Sequence, residues 1–109
     1  MKPPPSIMVD GVRIQVRLKK RLGEFSGGHG VGGEYHRMKH GKPAIVIDSS
    51  MTSRATRGTL LHELLHHCME RGGSPLSRLE EERVLDCIDA WLLEALRGNP
   101  DLVAYLMAP

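Results

Sequence analysis

The stretch TLLHELLHHCME, Thr59 to Glu70, sets three histidines and two glutamates around a run of leucines. Its apolar positions recur at helical spacing. Upstream the period is two: Val12, Ile14, Val16 and Leu18 alternate with Arg13, Gln15 and Arg17, the signature of a half-buried strand. The change of period divides the chain into strands first and helices afterwards. That order predicts an α+β fold, with helices packed on a small twisted antiparallel or mixed sheet.

Working outward, Ser49 to Ser53 offers capping hydroxyls, so the helix should begin near Thr52 or Ser53 and run to about Arg71. Gly72-Gly73 stands where a left-handed cap ends a helix. After the turn SPLS a second helix is expected over about 79–97, with Val84, Leu85, Ile88, Trp91, Leu92 and Ala95 as its core-facing stripe. Asn99-Pro100 reads as N-cap and first residue of a last helix to Met107. Towards the N-terminus, Asp10-Gly11 marks a short hairpin. EYHRM and PAIVID flank the turn KHGK as a second hairpin, with Ala44 to Asp48 its best-defined strand. SGGHGVGG, Ser26 to Gly33, reads as a flexible connector, because it lacks the Gly-Lys-Ser/Thr ending of a phosphate loop. Residues 1–6, with Pro3-Pro4-Pro5, are expected to form a flexible arm.

The chain has 109 residues, which fits a single domain over 1–109. Its formal net charge of +2 argues for neither nucleic acid nor a membrane surface as partner. No apolar run reaches the roughly 18 residues of a membrane span, and MKPPPSIMVDG has no signal-peptide core, so the expected compartment is cytoplasmic. Cys68 and Cys87 lie among apolar residues and read as buried free thiols.

His62 and His66 are four apart and share one helix face, so both can reach one Zn²⁺ at about 2.0–2.1 Å. Glu63, next to the first histidine, is suited to take a proton from a water on that ion, which makes His62-Glu63-Leu64-Leu65-His66 an H-E-x-x-H motif. Without a cation, two imidazoles and a carboxylate in an apolar helix would cost several kcal/mol to bury. A third ligand is needed, and Leu79-Glu80-Glu81-Glu82-Arg83 opens the next helix. Glu81 precedes Val84, Leu85 and Ile88 by three, four and seven, which favours it as the third ligand. Glu82, four before Asp86, is the alternative; Asp86 would then orient a histidine. Tyr35, His36, His67 and Tyr105 are candidates to stabilise an oxyanion, and the sequence does not choose among them. His29, His36 and His40 show no ligand spacing that suggests a second metal site.

TLLHELLHH, followed by LEEERVLDCIDAWLLEALRGNPDLVAYL, resembles the small H-E-x-x-H zinc metallopeptidase-like proteins of phages and prophages, and more distantly ImmA/IrrE-type peptidases and other gluzincins. The resemblance covers Ala44 to Leu106. It implies a minimal zincin fold, with zinc on His62, His66 and Glu81, Glu63 as general base, and a protein or peptide substrate. If phage-encoded, the chain would work in the host cytosol. The chain departs from the gluzincin pattern in having Leu85 four residues after Glu81, where Asp or Asn is common. Ala44 to Asp48 would be the edge strand that receives an extended peptide. The alternative is a zinc-stabilised regulatory or protein-binding module of the same fold with little catalytic activity.

Overall fold

The computed structural model describes residues 1–20, 32–37 and 42–109. Most of the expected KHGK turn and of the glycine-rich connector, with His29 and His40, lies outside the described residues. A four-stranded mixed sheet is followed by three helices: β1 (Ser6–Val9), β2 (Val12–Lys19), β3 (Gly33–His36), β4 (Ala44–Asp48), α1 (Ser53–Arg71), α2 (Arg78–Gly98) and α3 (Pro100–Met107). The α+β expectation holds. Among the described residues no helix is long and apolar enough to cross a membrane.

The first hairpin turns on Asp10 and Gly11, both at positive φ (46° and 77°), the pair of conformations a two-residue primed turn requires. It sets Ile7 opposite Ile14. The N-terminal arm is shorter than expected. Pro5 accepts a hydrogen bond from Val16 N at 2.9 Å, and Ser6 pairs with Gln15.

The sheet order is β1-β2-β4-β3. β4 runs parallel to β2 and antiparallel to β3, so it is an inner strand and not the edge. The reason lies in AIVID itself. Ala44, Ile45, Val46 and Ile47 are all buried, a near-continuous apolar run suited to an inner, partly parallel position. The edge beside α1 belongs to β3. Ile14, Val16, Ile45 and Ile47 form the core, and Leu60 and Leu64 of α1 pack on it.

Thr52 caps α1 by accepting from Ala55 N at 3.2 Å. At the other end Gly73 adopts φ 69°, and bonds Gly73 N to Glu70 O and Ser74 N to Met69 O close a Schellman motif. α2 begins with a reciprocal capping box. Ser77 Oγ accepts from Glu80 N at 3.2 Å, and Glu80 Oε1 accepts from Ser77 N at 3.0 Å. Those bonds hold the Glu80 carboxyl below its ordinary pKa. Asn99 occupies the N-cap position of α3, but its side chain donates back to Ala95 O at 2.8 Å instead of capping.

Two packing expectations fail. Of the stripe assigned to the α2 core face only Leu85 is buried, while Val84, Ile88, Trp91 and Leu92 are exposed. α2 turns its carboxylate edge, and not this stripe, towards α1. Cys68 and Cys87 are free and exposed, not buried. Cys68 is one residue, about 100°, past His67 on the sheet-facing side of α1, and Cys87 lies opposite the inward face of α2.

Candidate metal centre

Three faces of α1 have three neighbours. Leu60, Leu64 and His67, at spacings of four and three, face the sheet. Thr59 and Glu63 face β3. His62 and His66 face α2, where Glu81, Glu82, Asp86 and Asp89 lie on successive turns.

The two imidazoles stand edge to face with centroids 4.9 Å apart. His62 Nε2 is 3.3 Å from Glu82 Oε2, and His66 Nε2 abuts Oε1 of the same carboxylate. The ligand atoms of His62, His66 and Glu82 all lie within 4.8 Å of one another. Behind the rings, His62 Nδ1 is 2.7 Å from Asp89 Oδ2, and His66 Nδ1 is 2.6 Å from Glu81 Oε1. Each Nδ1–H therefore donates to a carboxylate, which leaves each Nε2 lone pair directed at the carboxylate of Glu82. Lone pairs and carboxylate oxygens repel at this separation. The arrangement needs either a proton on both rings or a cation between them. Glu63, Glu81, Glu82 and Asp89 gather around two imidazoles, a negative charge that a dication or two ring protons would offset equally. Two imidazoles and a carboxylate with an outer carboxylate on each ring is a donor set that suits zinc.

The helical phase favours Glu81 as the third ligand; here Glu82 meets the Nε2 atoms and Glu81 stands behind His66. Both residues straddle the line of contact with α1, and a 100° step between neighbours separates the outer position from the inner one. Glu81 is the more deeply buried of the pair. Asp86, expected to orient a histidine, is exposed and 3.6 Å from His62 Nδ1, while Asp89 sits 0.9 Å closer. Asp89 went unpredicted. Its signal was its spacing, seven residues after Glu82 and so two turns on along one face. The four-residue spacing from Glu82 points to Asp86 instead.

Burial lowers the pKa of His62, but the bond to Asp89 and the charges of Glu63 and Glu82 more than offset it, so the ring titrates above its ordinary value. Glu63 is 5% exposed, and burial, partly offset by His62 and His66, raises its pKa to about 7. It lies where β3 comes closest to α1. A Cβ on Gly33 would sit 2.4 Å from Thr59 Cγ2, 3.2 Å from Glu63 Cγ and 3.3 Å from Glu63 Oε2. Only glycine permits that approach. Gly33, read as the end of a flexible connector, is a strand residue against the motif glutamate.

Among the oxyanion candidates, Tyr35 and His67 are committed to each other. The Tyr35 hydroxyl donates to Glu70 Oε1 at 2.5 Å and lies 2.8 Å from His67 Nδ1. Its single proton goes to Glu70, so His67 Nδ1–H donates to the tyrosine oxygen. His67 Nε2 is then a bare acceptor, buried and without a partner among the described residues, and burial lowers the ring's pKa so that it stays neutral. Burial and Glu70 raise the Tyr35 phenol. His36 bonds Glu34 at 3.2 Å, and Tyr105 is exposed on α3.

Comparison with protein-family models, with curated proteins and with solved structures finds no match to this chain.

Proposed function

We propose that this chain is a zinc-dependent peptidase in which His62, His66 and Glu82 hold the metal and Glu63 is the general base. The observation that carries the reading is the convergence of both Nε2 atoms on the Glu82 carboxylate while both Nδ1 atoms are already bonded to carboxylates. A zinc ion in that position would polarise a scissile carbonyl and lower the pKa of an accompanying water towards about 7. The chain's own residues would do the rest. Asp89 and Glu81 hold the imidazole tautomers and orient the rings. Glu63, in a water-poor position beside Gly33, accepts the water's proton and returns it to the leaving amine.

The peptide would pair with β3. Asp48 N donates to Gly32 O, which sets the alternation of the β3–β4 ladder. Gly32, Glu34 and His36 bond inwards to β4, so the N–H and C=O groups of Gly33 and Tyr35 point to the other side. Among the described residues no strand pairs with that side. An extended substrate added there would run past Glu63.

The test is bound zinc and cleavage of a peptide library by the wild type, Glu63→Gln and His62→Ala. The expected pattern is that Glu63→Gln keeps zinc and loses about 10²–10⁴-fold in cleavage, while His62→Ala loses both. Zinc without wild-type cleavage would mark a binding or regulatory module instead. A wild type that binds no zinc would end the reading.

A further inference from the structure

On the peptidase reading above, we infer that Tyr35 is a positioning residue: its hydroxyl, held by His67 and Glu70, sets how far the substrate-receiving edge of β3 stands from α1. Backbone bonds to β4 fix the register of β3, with Gly33 opposite Ile47 and Tyr35 opposite Ile45. They leave its distance from the helix open. The angle between neighbouring strands ranges over roughly 10–35°, so an edge strand bonded on one side can tilt towards or away from a helix. That distance is set by the side chains that face α1. Successive residues of a strand point to opposite faces. Gly33 and Tyr35 face α1, whereas Glu34 and His36 face away and bond each other at 3.2 Å. Gly33 brings no side chain, so within β3 the tie to the helix falls to Tyr35.

The ring of Tyr35 packs against the sheet core and stands edge to face with His67, centroids 5.7 Å apart. Its hydroxyl donates to Glu70 Oε1 at 2.5 Å and accepts from His67 Nδ1 at 2.8 Å. His67 is fully buried, so it has no room to follow a displaced strand. It lies next to His66 and one turn after Glu63, and Glu70 lies one turn after His66. The tyrosine is thus anchored to the turns that carry the base and a proposed ligand. Its own N–H and C=O point outward, towards a peptide added to β3. One residue therefore links the peptide's main chain to the motif helix. Without the hydroxyl, β3 keeps its pairing with β4, and a bound peptide shifts with it relative to Glu63. A displacement of about 1 Å costs on the order of 10²-fold in rate.

The probes are the best-cleaved peptide of the library and the same peptide cut back to the two residues flanking the scissile bond, too short to pair along β3. In zinc-loaded Tyr35→Phe, kcat on the long peptide should fall about 10–100-fold, with KM within about threefold, because the pairing groups belong to β3 and move with it. Cleavage of the short peptide should stay within about threefold of wild type. Glu70→Ala removes one of the two bonds at a partly buried position and should show the same selectivity at about 3–10-fold. Glu70→Gln, which keeps an oxygen for the tyrosine proton, should restore most of it. In the metal-free chain, the nuclear Overhauser contact between Gly33 Hα and the Thr59 methyl should weaken severalfold in Tyr35→Phe. An unchanged contact, a loss equal on both peptides, or no loss from either Tyr35→Phe or Glu70→Ala overturns the inference and leaves the peptidase reading intact. A zinc-loaded wild type that cleaves no peptide ends that reading and this inference with it.

Discussion

Removing four carboxylates of α2 one at a time ranks their roles around the proposed zinc. The variants are Glu82→Ala, Glu81→Ala, Asp89→Ala and Asp86→Ala, with zinc affinity read by competition against a chromogenic chelator at fixed pH and salt. Asp89 and Glu81 each hold a histidine Nδ1–H, at 2.7 and 2.6 Å, and neither reaches the Nε2 side of its ring. Loss of such an outer carboxylate weakens metal binding about 10–100-fold, or about 1.4–2.7 kcal/mol. Asp89→Ala should fall low in that range, because Asp86, 3.6 Å from His62 Nδ1, can swing in to replace it. Glu81→Ala should fall high, because His66 Nδ1–H is buried and water reaches it poorly. Asp86→Ala, at an exposed position, should change affinity by less than about threefold. Glu82→Ala removes the oxygens facing both Nε2 atoms, so its loss should exceed the about 100-fold ceiling of an outer carboxylate. If Glu81→Ala costs more than Glu82→Ala, the ligand assignment is wrong. If Asp86→Ala matches Asp89→Ala, the account of ring orientation is wrong.

Three further outcomes follow from the same geometry. Glu63 titrates at about 7 when folded against 4.5 when free, so its charged form penalises the fold. The penalty is absent below pH 4.5, grows as pH rises and is complete above about 7, on the order of 3 kcal/mol. In chelator-treated protein, Glu63→Gln should therefore stabilise at pH 8 and not at pH 4; parallel urea midpoints at both pH values would contradict this. Gly33→Ala should cost about 1–3 kcal/mol through the clash with Thr59 Cγ2, and Thr59→Ser, which deletes that methyl, should recover most of it. Additive losses in denaturant titrations would argue against the close approach. Tyr35→Phe leaves the buried His67 Nδ1–H unpaired and should cost about 1–3 kcal/mol, read as a fall in Tm of roughly 4–8 °C per kcal/mol. An unchanged Tm would remove the triad from the stabilising contacts.

Much of the fold was legible because its signals are local. Asp10-Gly11, the alternation from Val12 to Leu18 and the capping groups at Thr52, Ser77 and Gly73 each act within a few residues of themselves. The pairing of His62 with His66 belongs to the same class, since the pitch of one helix sets it. The apolar run from Ala44 to Ile47 is a local signal too, because such a run asks to be covered on both faces, which an inner strand provides and an edge strand does not.

What only the tertiary structure decided is the rotation of α2 about its own axis. The sequence offers two adjacent faces, a carboxylate edge through Glu81, Glu82 and Asp89 and an apolar stripe through Val84, Ile88 and Trp91. Periodicity alone gives the stripe to the core. In the folded chain the imidazoles of α1 take the carboxylates, because buried ring nitrogens without partners cost more than exposed apolar side chains. That choice depends on what stands across the gap between two helices. It assigns Glu82 to the Nε2 atoms, brings Asp89 behind His62 and leaves Trp91 facing outwards.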